Sequence, residues 1–422
     1  MSSPENKLTF FRQSGWMVIA ATLSGVFMFG VHIFNRWMPE NVYGAFGTVL
    51  ALMTWLQFPV VGLQQTVAQQ GAAALSESDQ RRLTYTTRRL ILWTFLLWLI
   101  LAVSAGLGLQ PLMAAFNVQD SSVVGLLLIL ALVNFWTPIF QGLLQGAQNF
   151  LWIGWSSMLS GIGRFTVVGL LVVGLNNRTS GVTMVMMGIL AGALTPLVIS
   201  AWQSRKVWLG PEERAALGPW FKNLLPLTIG LAATQILFIT DILIVNSFFP
   251  QKMTDQYTAL ATVGRALVTF TAPVVAVMFP KIVNSSARAE KSNAFILALG
   301  VTALLAGGAA LGLTLFVKPI FQVVFPNKMD LVALIPLYAW CILPQAIGNV
   351  LLSDLLARRR FTVVVPAMIL AICYVVALRT FNDSIPTLIK TLGVASLAYL
   401  LITAGFAWWD LRQRRPGPEI RA

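Results

Sequence analysis

Apolar runs of about 20 residues recur from one end of the chain to the other, separated by short polar pieces. Coiled as α-helices rising 1.5 Å per residue, runs of that length match the hydrocarbon core of a bilayer. The pattern predicts twelve spans: 13–36, 42–64, 90–110, 122–145, 151–175, 182–203, 221–248, 257–280, 293–317, 331–356, 361–379 and 385–409. The fourth and fifth are joined only by Gly146–Phe150. No soluble domain fits between the runs.

The chain also repeats. Tyr43–Val61 (YGAFGTVLALMTWLQFPVV) and Tyr257–Val275 (YTALATVGRALVTFTAPVV) match at Tyr, Ala, Thr, Val, Pro, Val and Val, which aligns Pro59 with Pro273. Phe11-Arg12 opens the first span as Phe221-Lys222 opens the seventh, and Gly146–Phe150 (GAQNF) resembles Ala357–Phe361 (ARRRF). Residues 1–210 and 211–422 therefore read as two copies of a six-helix unit. Six is even, so both copies enter the membrane from the same side, as parallel repeats about an axis along the membrane normal. The expected fold class is all-α: a polytopic membrane protein of about twelve transmembrane helices, in two parallel six-helix bundles with a central cavity.

Composition agrees. Of 422 residues, 57% are hydrophobic and 10% charged, against about 25% charged in an ordinary soluble domain. The formal net charge of +14 would suggest nucleic acid in a soluble protein. Here its placement gives a different cause. Of 29 Lys and Arg, 20 fall in alternate loops and the chain ends, in clusters such as Arg81-Arg82, Arg88-Arg89 and Arg358-Arg359-Arg360, and 6 in the opposite loops. With an even span count, that asymmetry puts both termini in the cytoplasm, and no nucleic-acid partner is expected.

Soluble-enzyme signatures are missing from the sequence. It has no G-x-x-x-x-G-K-[ST] phosphate loop, and its one histidine is His32. Cys341 and Cys373 both lie in apolar runs and offer neither a disulfide framework nor a thiolate metal site. Neither enzymatic chemistry nor a cofactor is expected.

What remains are ionisable groups at membrane depth, which are costly there and point to function. Asp241 lies about seven residues before the outer end of the seventh span, and Arg265 about eight after the outer start of the eighth. Both therefore sit roughly 10 Å below the outer surface, on neighbouring antiparallel helices. Either they form a structural ion pair, or Arg265 is released to bind an anionic ligand while Asp241 orients it or takes a cation. Arg164 lies near the middle of the fifth span, where the sequence places no acidic residue of the first half at its depth, so it is expected to face a wet cavity. Arg36, with Asn35 and His32, ends the first span, and Lys390 opens the twelfth; each could instead snorkel to the interface. Asp354 sits four residues before Arg358, as a local helix pair would. The balance at depth is cationic, which suits a phosphate or pyrophosphate headgroup. Arg164, Arg265, Arg36 and Lys390 are the candidate substrate ligands, with Asp241 as coupling group or ion-pair partner.

The run Asp241…Tyr257-Thr258-Ala259-Leu260…Gly264-Arg265…Pro273…Phe279-Pro280 resembles the central signature of the bacterial polysaccharide flippases. Leu144–Phe150 is similar to that family's "lqGlqrF" stretch, and Tyr43-Gly44…Gly62-Leu63…Ala68 to its first-repeat pattern. The sequence departs from the family at Gln256, where a glycine precedes the tyrosine, and at Asn149, where a basic residue is usual. The family belongs to the multidrug, oligosaccharidyl-lipid and polysaccharide exporter superfamily. The resemblance implies a transporter that flips an isoprenoid-pyrophosphate-linked oligosaccharide across the bacterial inner membrane by alternating access. It also implies glycosyltransferases and a polymerase of the same pathway as partners, besides membrane lipids.

Two other readings remain open. One is a cation-coupled multidrug exporter of the same superfamily, which would favour an acidic cavity. The other is an integral-membrane glycan polymerase or ligase, which would be expected to carry a large catalytic outward loop; none here exceeds about a dozen residues.

Overall fold

The computed structural model describes residues 4–31, 34, 60, 62–108, 110, 121–174, 181–216, 218–288, 293–324 and 329–413. Every regular element among them is helical. In chain order the major helices are α1 (Pro4–Gly30), α2 (62–73), α3 (Glu77–Leu107), α4 (Ser121–Gly146), α5 (Phe150–Gly174) and α6 (Gly181–Gln203). They continue as α7 (Gly218–Phe248), α8 (Gln251–Ala287), α9 (Ala294–Val324), α10 (Ile335–Ala357), α11 (Val364–Thr380) and α12 (Ile385–Gln413). The ten from α3 to α12 are long and apolar enough to cross a membrane, which makes the chain a multi-pass membrane protein.

Several helices outrun the spans expected from hydropathy. α3 starts at Glu77 rather than near 90 because Ser76 and Asp79 form a capping box: the Asp79 N–H donates to Ser76 Oγ at 3.1 Å, and the Ser76 N–H to Asp79 Oδ2 at 3.2 Å. α8 likewise exceeds 257–280 at both ends, and α2 runs on to residue 73. Hydropathy marks where lipid contact ends, whereas caps and turns mark where the helix ends.

The chain forms two compact units, Ser3–Thr228 and Ile229–Ala422, with the division inside α7. The first turns of α7 belong to the first unit because Trp220 and Leu224 pack into its core with Leu63, Val67, Ile139 and Leu143. In that unit α4 carries Gly142 and Gly146, one helical turn apart on one face. A Cβ at Gly142 would lie 2.7 Å from the Gln64 carbonyl oxygen, and one at Gly146 2.9 Å from that of Ala68. Only glycine lets the α2 and α4 backbones approach that closely.

The segment after α6 is strapped to the polar start of α3. Glu213 accepts from Arg82 Nε and from Ser78 Oγ, each at 3.0 Å, and its own N–H donates to the Arg81 carbonyl. Arg88 pairs with Glu212 at 3.0 Å and donates to the carbonyls of Trp208 and Gly210.

In the second unit α10 packs against α8, α9 and α12. α9 kinks at Phe316 (φ −121°, ψ 24°), three residues before Pro319, whose ring and missing N–H break the local hydrogen-bond ladder.

The turns after α4 and after α10 share one geometry. Gln148 and Arg359 have φ of 56° and 59°. The Asn149 N–H donates to Leu144 O and the Arg360 N–H to Leu355 O, both at 2.8 Å; the Gln148 N–H donates to Gln145 O and the Arg359 N–H to Leu356 O, both at 3.0 Å. Each is a Schellman C-cap, with its left-handed position filled by a residue other than glycine. These are the GAQNF and ARRRF stretches. Of the other aligned pair, Tyr43–Val61 lies outside the described residues except for Val60.

Candidate functional site

Tyr257, Ala261 and Arg265 are spaced four residues apart along α8, so they line one face of that helix. That face meets Asp241 of α7 and Tyr338 of α10. Arg265 Nη2 is hydrogen-bonded to Asp241 Oδ1. The other carboxylate oxygen accepts from the Tyr257 hydroxyl at 2.7 Å and from the Tyr338 hydroxyl at 3.0 Å. Arg265 Nε donates to the Tyr338 oxygen at 3.1 Å, and the guanidinium lies 5.1 Å from the centre of the Phe238 ring. Tyr257 and Tyr338 meet edge to face, their centroids 6.3 Å apart.

Every charge in this set is compensated. Asp241 is 0% exposed and Arg265 8%. Removing an ion pair from water costs several kcal/mol per ion, recovered only when geometry and added hydrogen bonds are good. Here three donors serve one carboxylate, and the Tyr338 hydroxyl donates to Asp241 while accepting from Arg265. Gly264 makes room for it: a Cβ there would come within 2.2 Å of Tyr338 Cδ1.

The set extends along α10. Gln345, seven residues after Tyr338 and therefore on the same face, donates to the Thr234 carbonyl of α7 at 3.0 Å. Its Oε1 is buried without a hydrogen bond, as is the hydroxyl of Tyr374 on α11.

The structure thus brings together Asp241 and Arg265, which the sequence had placed at one depth. In this arrangement the Arg265 fork is turned to protein groups, so a role toward an external anion requires the pair to open. Arg164 belongs to the other unit. It is half-buried on α5, with Gly192 of α6 directly against it: a Cβ at Gly192 would meet Arg164 Cβ at 2.7 Å. Ser160, one turn earlier, donates to the Gly192 carbonyl at 2.6 Å. Lys390 is exposed in the second turn of α12, outside the hydrogen-bonded set. Arg36, Asn35 and His32 lie outside the described residues. Asp354 accepts from Arg358 Nε at 2.8 Å, the local helix pair expected. The sequence pattern alone misses the role of Tyr338, and shows Tyr257 only as a matched letter. Among the described residues, no group of three or more His, Cys, Asp or Glu converges to hold a metal ion.

Comparison with known families decides the class. The profile of the family described as "Polysaccharide biosynthesis protein" matches residues 11–286. The chain belongs to that family. Compared with curated proteins, the chain matches none. Among solved structures it is similar to a MATE protein in the bent conformation, with a TM-score of 0.75 at 12% identity over 96% of this chain and 94% of that one. It is similar to a eukaryotic MATE transporter, with a TM-score of 0.74 at 12% identity over 97% and 99% of the two chains. A third similar structure is an outward-facing multidrug resistance MATE transporter of the MOP superfamily, with a TM-score of 0.71 at 14% identity over 96% of each chain. This family member therefore shares its fold with those MATE structures.

Proposed function

We propose that this protein flips an isoprenoid-pyrophosphate-linked oligosaccharide from the inner to the outer leaflet of a bacterial inner membrane, for cell-surface polysaccharide synthesis. The observation that supports this reading best is the family match over residues 11–286 on a chain with a transporter fold. A glycan-pyrophosphate headgroup cannot cross about 30 Å of hydrocarbon unaided. Two six-helix halves, 1–210 and 211–422, sheltering it in a cationic cavity and rocking by alternating access would carry it, with the lipid tail left in the membrane. Both termini are cytoplasmic in this reading, and the glycosyltransferases and polymerase of the pathway act on either side of the step.

Arg164 is the residue proposed to meet the pyrophosphate, through forked, charge-assisted hydrogen bonds. Arg36 and Lys390 add positive charge nearer the ends of their helices. Arg265 contributes only when it leaves Asp241, which makes that pair the group whose opening couples to transport. The likeness to a multidrug MATE transporter supports a drug exporter as second reading. Against it, the buried carboxylate Asp241 is already matched by a cation of the protein itself.

The test is surface glycan in a strain lacking the gene, complemented by variants at matched membrane abundance. The unaltered chain restores glycan, Arg164→Ala abolishes export, and Arg164→Lys keeps part of it, since Lys retains the charge but not the fork. Restoration of drug resistance without glycan would favour the second reading, and full export by Arg164→Ala would remove Arg164 from the mechanism.

A further inference from the structure

An open groove of about 440 Å³ runs between α11 and α12, lined by Pro366, Leu401, Ile402, Gly405, Phe406 and Trp409. Its lining is apolar, and Leu401 and Trp409 are more than half exposed. In a membrane helix pair such a face meets lipid. One end of the groove is charged. Arg360, in the turn before α11, forms an ion pair with Asp410 near the end of α12, its Nε 2.7 Å from a carboxylate oxygen, which pins the two helix ends together. Arg359 is its exposed neighbour. Arg412, two residues beyond Asp410, lays its guanidinium 3.6 Å from the centre of the Trp408 ring.

Along α12, three zones follow in order: apolar groove at Leu401 and Gly405, tryptophan at Trp408 and Trp409, and arginine at Arg412. A phospholipid has the same sequence of acyl chain, interfacial glycerol and phosphate, and tryptophan favours the interfacial level. From Leu401 to Arg412 the helix rises about 16 Å, close to half of the roughly 30 Å hydrocarbon core, the depth of one leaflet. We propose that this groove is a binding site for an anionic phospholipid of the bilayer, one acyl chain lying against Gly405 and the headgroup phosphate against Arg412 and Arg359. The site stands whether or not the transported molecule is a glycan-lipid.

The test uses the full chain in detergent with phosphatidylglycerol and phosphatidylcholine of identical acyl chains, retained lipid being read by native mass spectrometry. Phosphatidylglycerol is retained preferentially. Arg412→Gln lowers that preference about five-fold, the factor corresponding to the roughly 1 kcal/mol that one basic residue contributes at an anionic surface. Gly405→Leu fills the groove and lowers retention of both lipids. Nothing lies within 4 Å of a Cβ placed at Gly405, so the added side chain enters the open groove, and this variant keeps the test decisive even if Arg412→Gln fails to fold. Arg205→Gln is the control, since Arg205 also stacks on a tryptophan, Trp202, at 4.3 Å, in the other unit; it leaves retention unchanged. Equal retention of the two lipids, no effect of Gly405→Leu, or displacement of phosphatidylglycerol by an isoprenoid phosphate would overturn the proposal.

Discussion

Gln148 and Arg359 hold the same left-handed backbone, at φ 56° and 59°, in two helix-ending turns with matching hydrogen bonds. Neither is glycine, although a Cβ makes this conformation cost about 1–2 kcal/mol. Each turn ends the fourth helix of its expected repeat, which is the placement that duplication of one unit would leave behind.

Replacing either residue by glycine should relieve that strain. Gln148→Gly and Arg359→Gly are each expected to raise stability by up to about 1 kcal/mol, and Gln148→Val to lower it by at least as much. Thermal unfolding in detergent measures both. No gain from either glycine would mean that the turn geometry is supported by contacts of the side chains themselves.

Asp241→Asn leaves Arg265 buried beside a neutral group. Breaking a buried pair from one side costs about 3–5 kcal/mol, so this variant should reach the membrane poorly. The double variant Asp241→Asn with Arg265→Gln should recover abundance better than either single change. Recovery of folding without glycan export assigns the pair a working role; recovery of both reduces it to structure.

Tyr338 depends on the space left by Gly264. Gly264→Ala should cost about 1–3 kcal/mol by pushing the ring off both Asp241 and Arg265. Gly300→Ala, where an added Cβ meets nothing within 4 Å, should be neutral or slightly stabilising through helix propensity. Comparing the melting temperatures of the two variants separates close packing from a general effect of removing glycine.

The strap between residues 205–216 and α3 should loosen in acid. Hydrogen bonds from Ser78 and Arg82 hold the Glu213 carboxyl below the usual glutamate range. A depressed carboxyl stabilises the folded form above its unfolded pKa, and that contribution fades as pH falls through the folded value. Protease cleavage within 209–217 should therefore speed up below about pH 4.5, and Glu213→Gln should show the faster rate already at pH 7. Equal rates for variant and unaltered chain across this range would detach Glu213 from the strap.

Topology follows from the placement of the basic residues. Reporter fusions after residues 80, 210, 285 and 415 should read cytoplasmic, and fusions near 118, 179, 253 and 325 periplasmic. Residues 80 and 285 on opposite sides of the membrane would end the parallel-repeat reading.

Much of this architecture is legible in the amino-acid sequence, for identifiable physical reasons. The spans show because lipid demands unbroken apolar runs, and the Asp241–Arg265 pair shows because depth along a helix can be counted at 1.5 Å per residue. The tyrosines do not show. In an apolar run Tyr338 and Tyr374 read as ordinary core, and nothing in the spacing around Tyr338 says that its hydroxyl reaches a carboxylate three helices away in sequence. A usable signal is the glycine beside Arg265, because small residues in membrane helices mark a close neighbour. The start of α3 is hidden for a different reason: hydropathy does not register a capping box such as that of Ser76 and Asp79.

The pairing of Asp241 with Arg265 also settles an electrical question. A lone charge carried across the membrane does work against the transmembrane potential, about 2.3 kcal/mol for each 100 mV. A carboxylate and a guanidinium that travel together sum to zero and do none. As long as the pair stays closed, any movement of α7 and α8 through the bilayer is blind to voltage at this point. Opening it, or neutralising one partner, is what would make the protein feel the field.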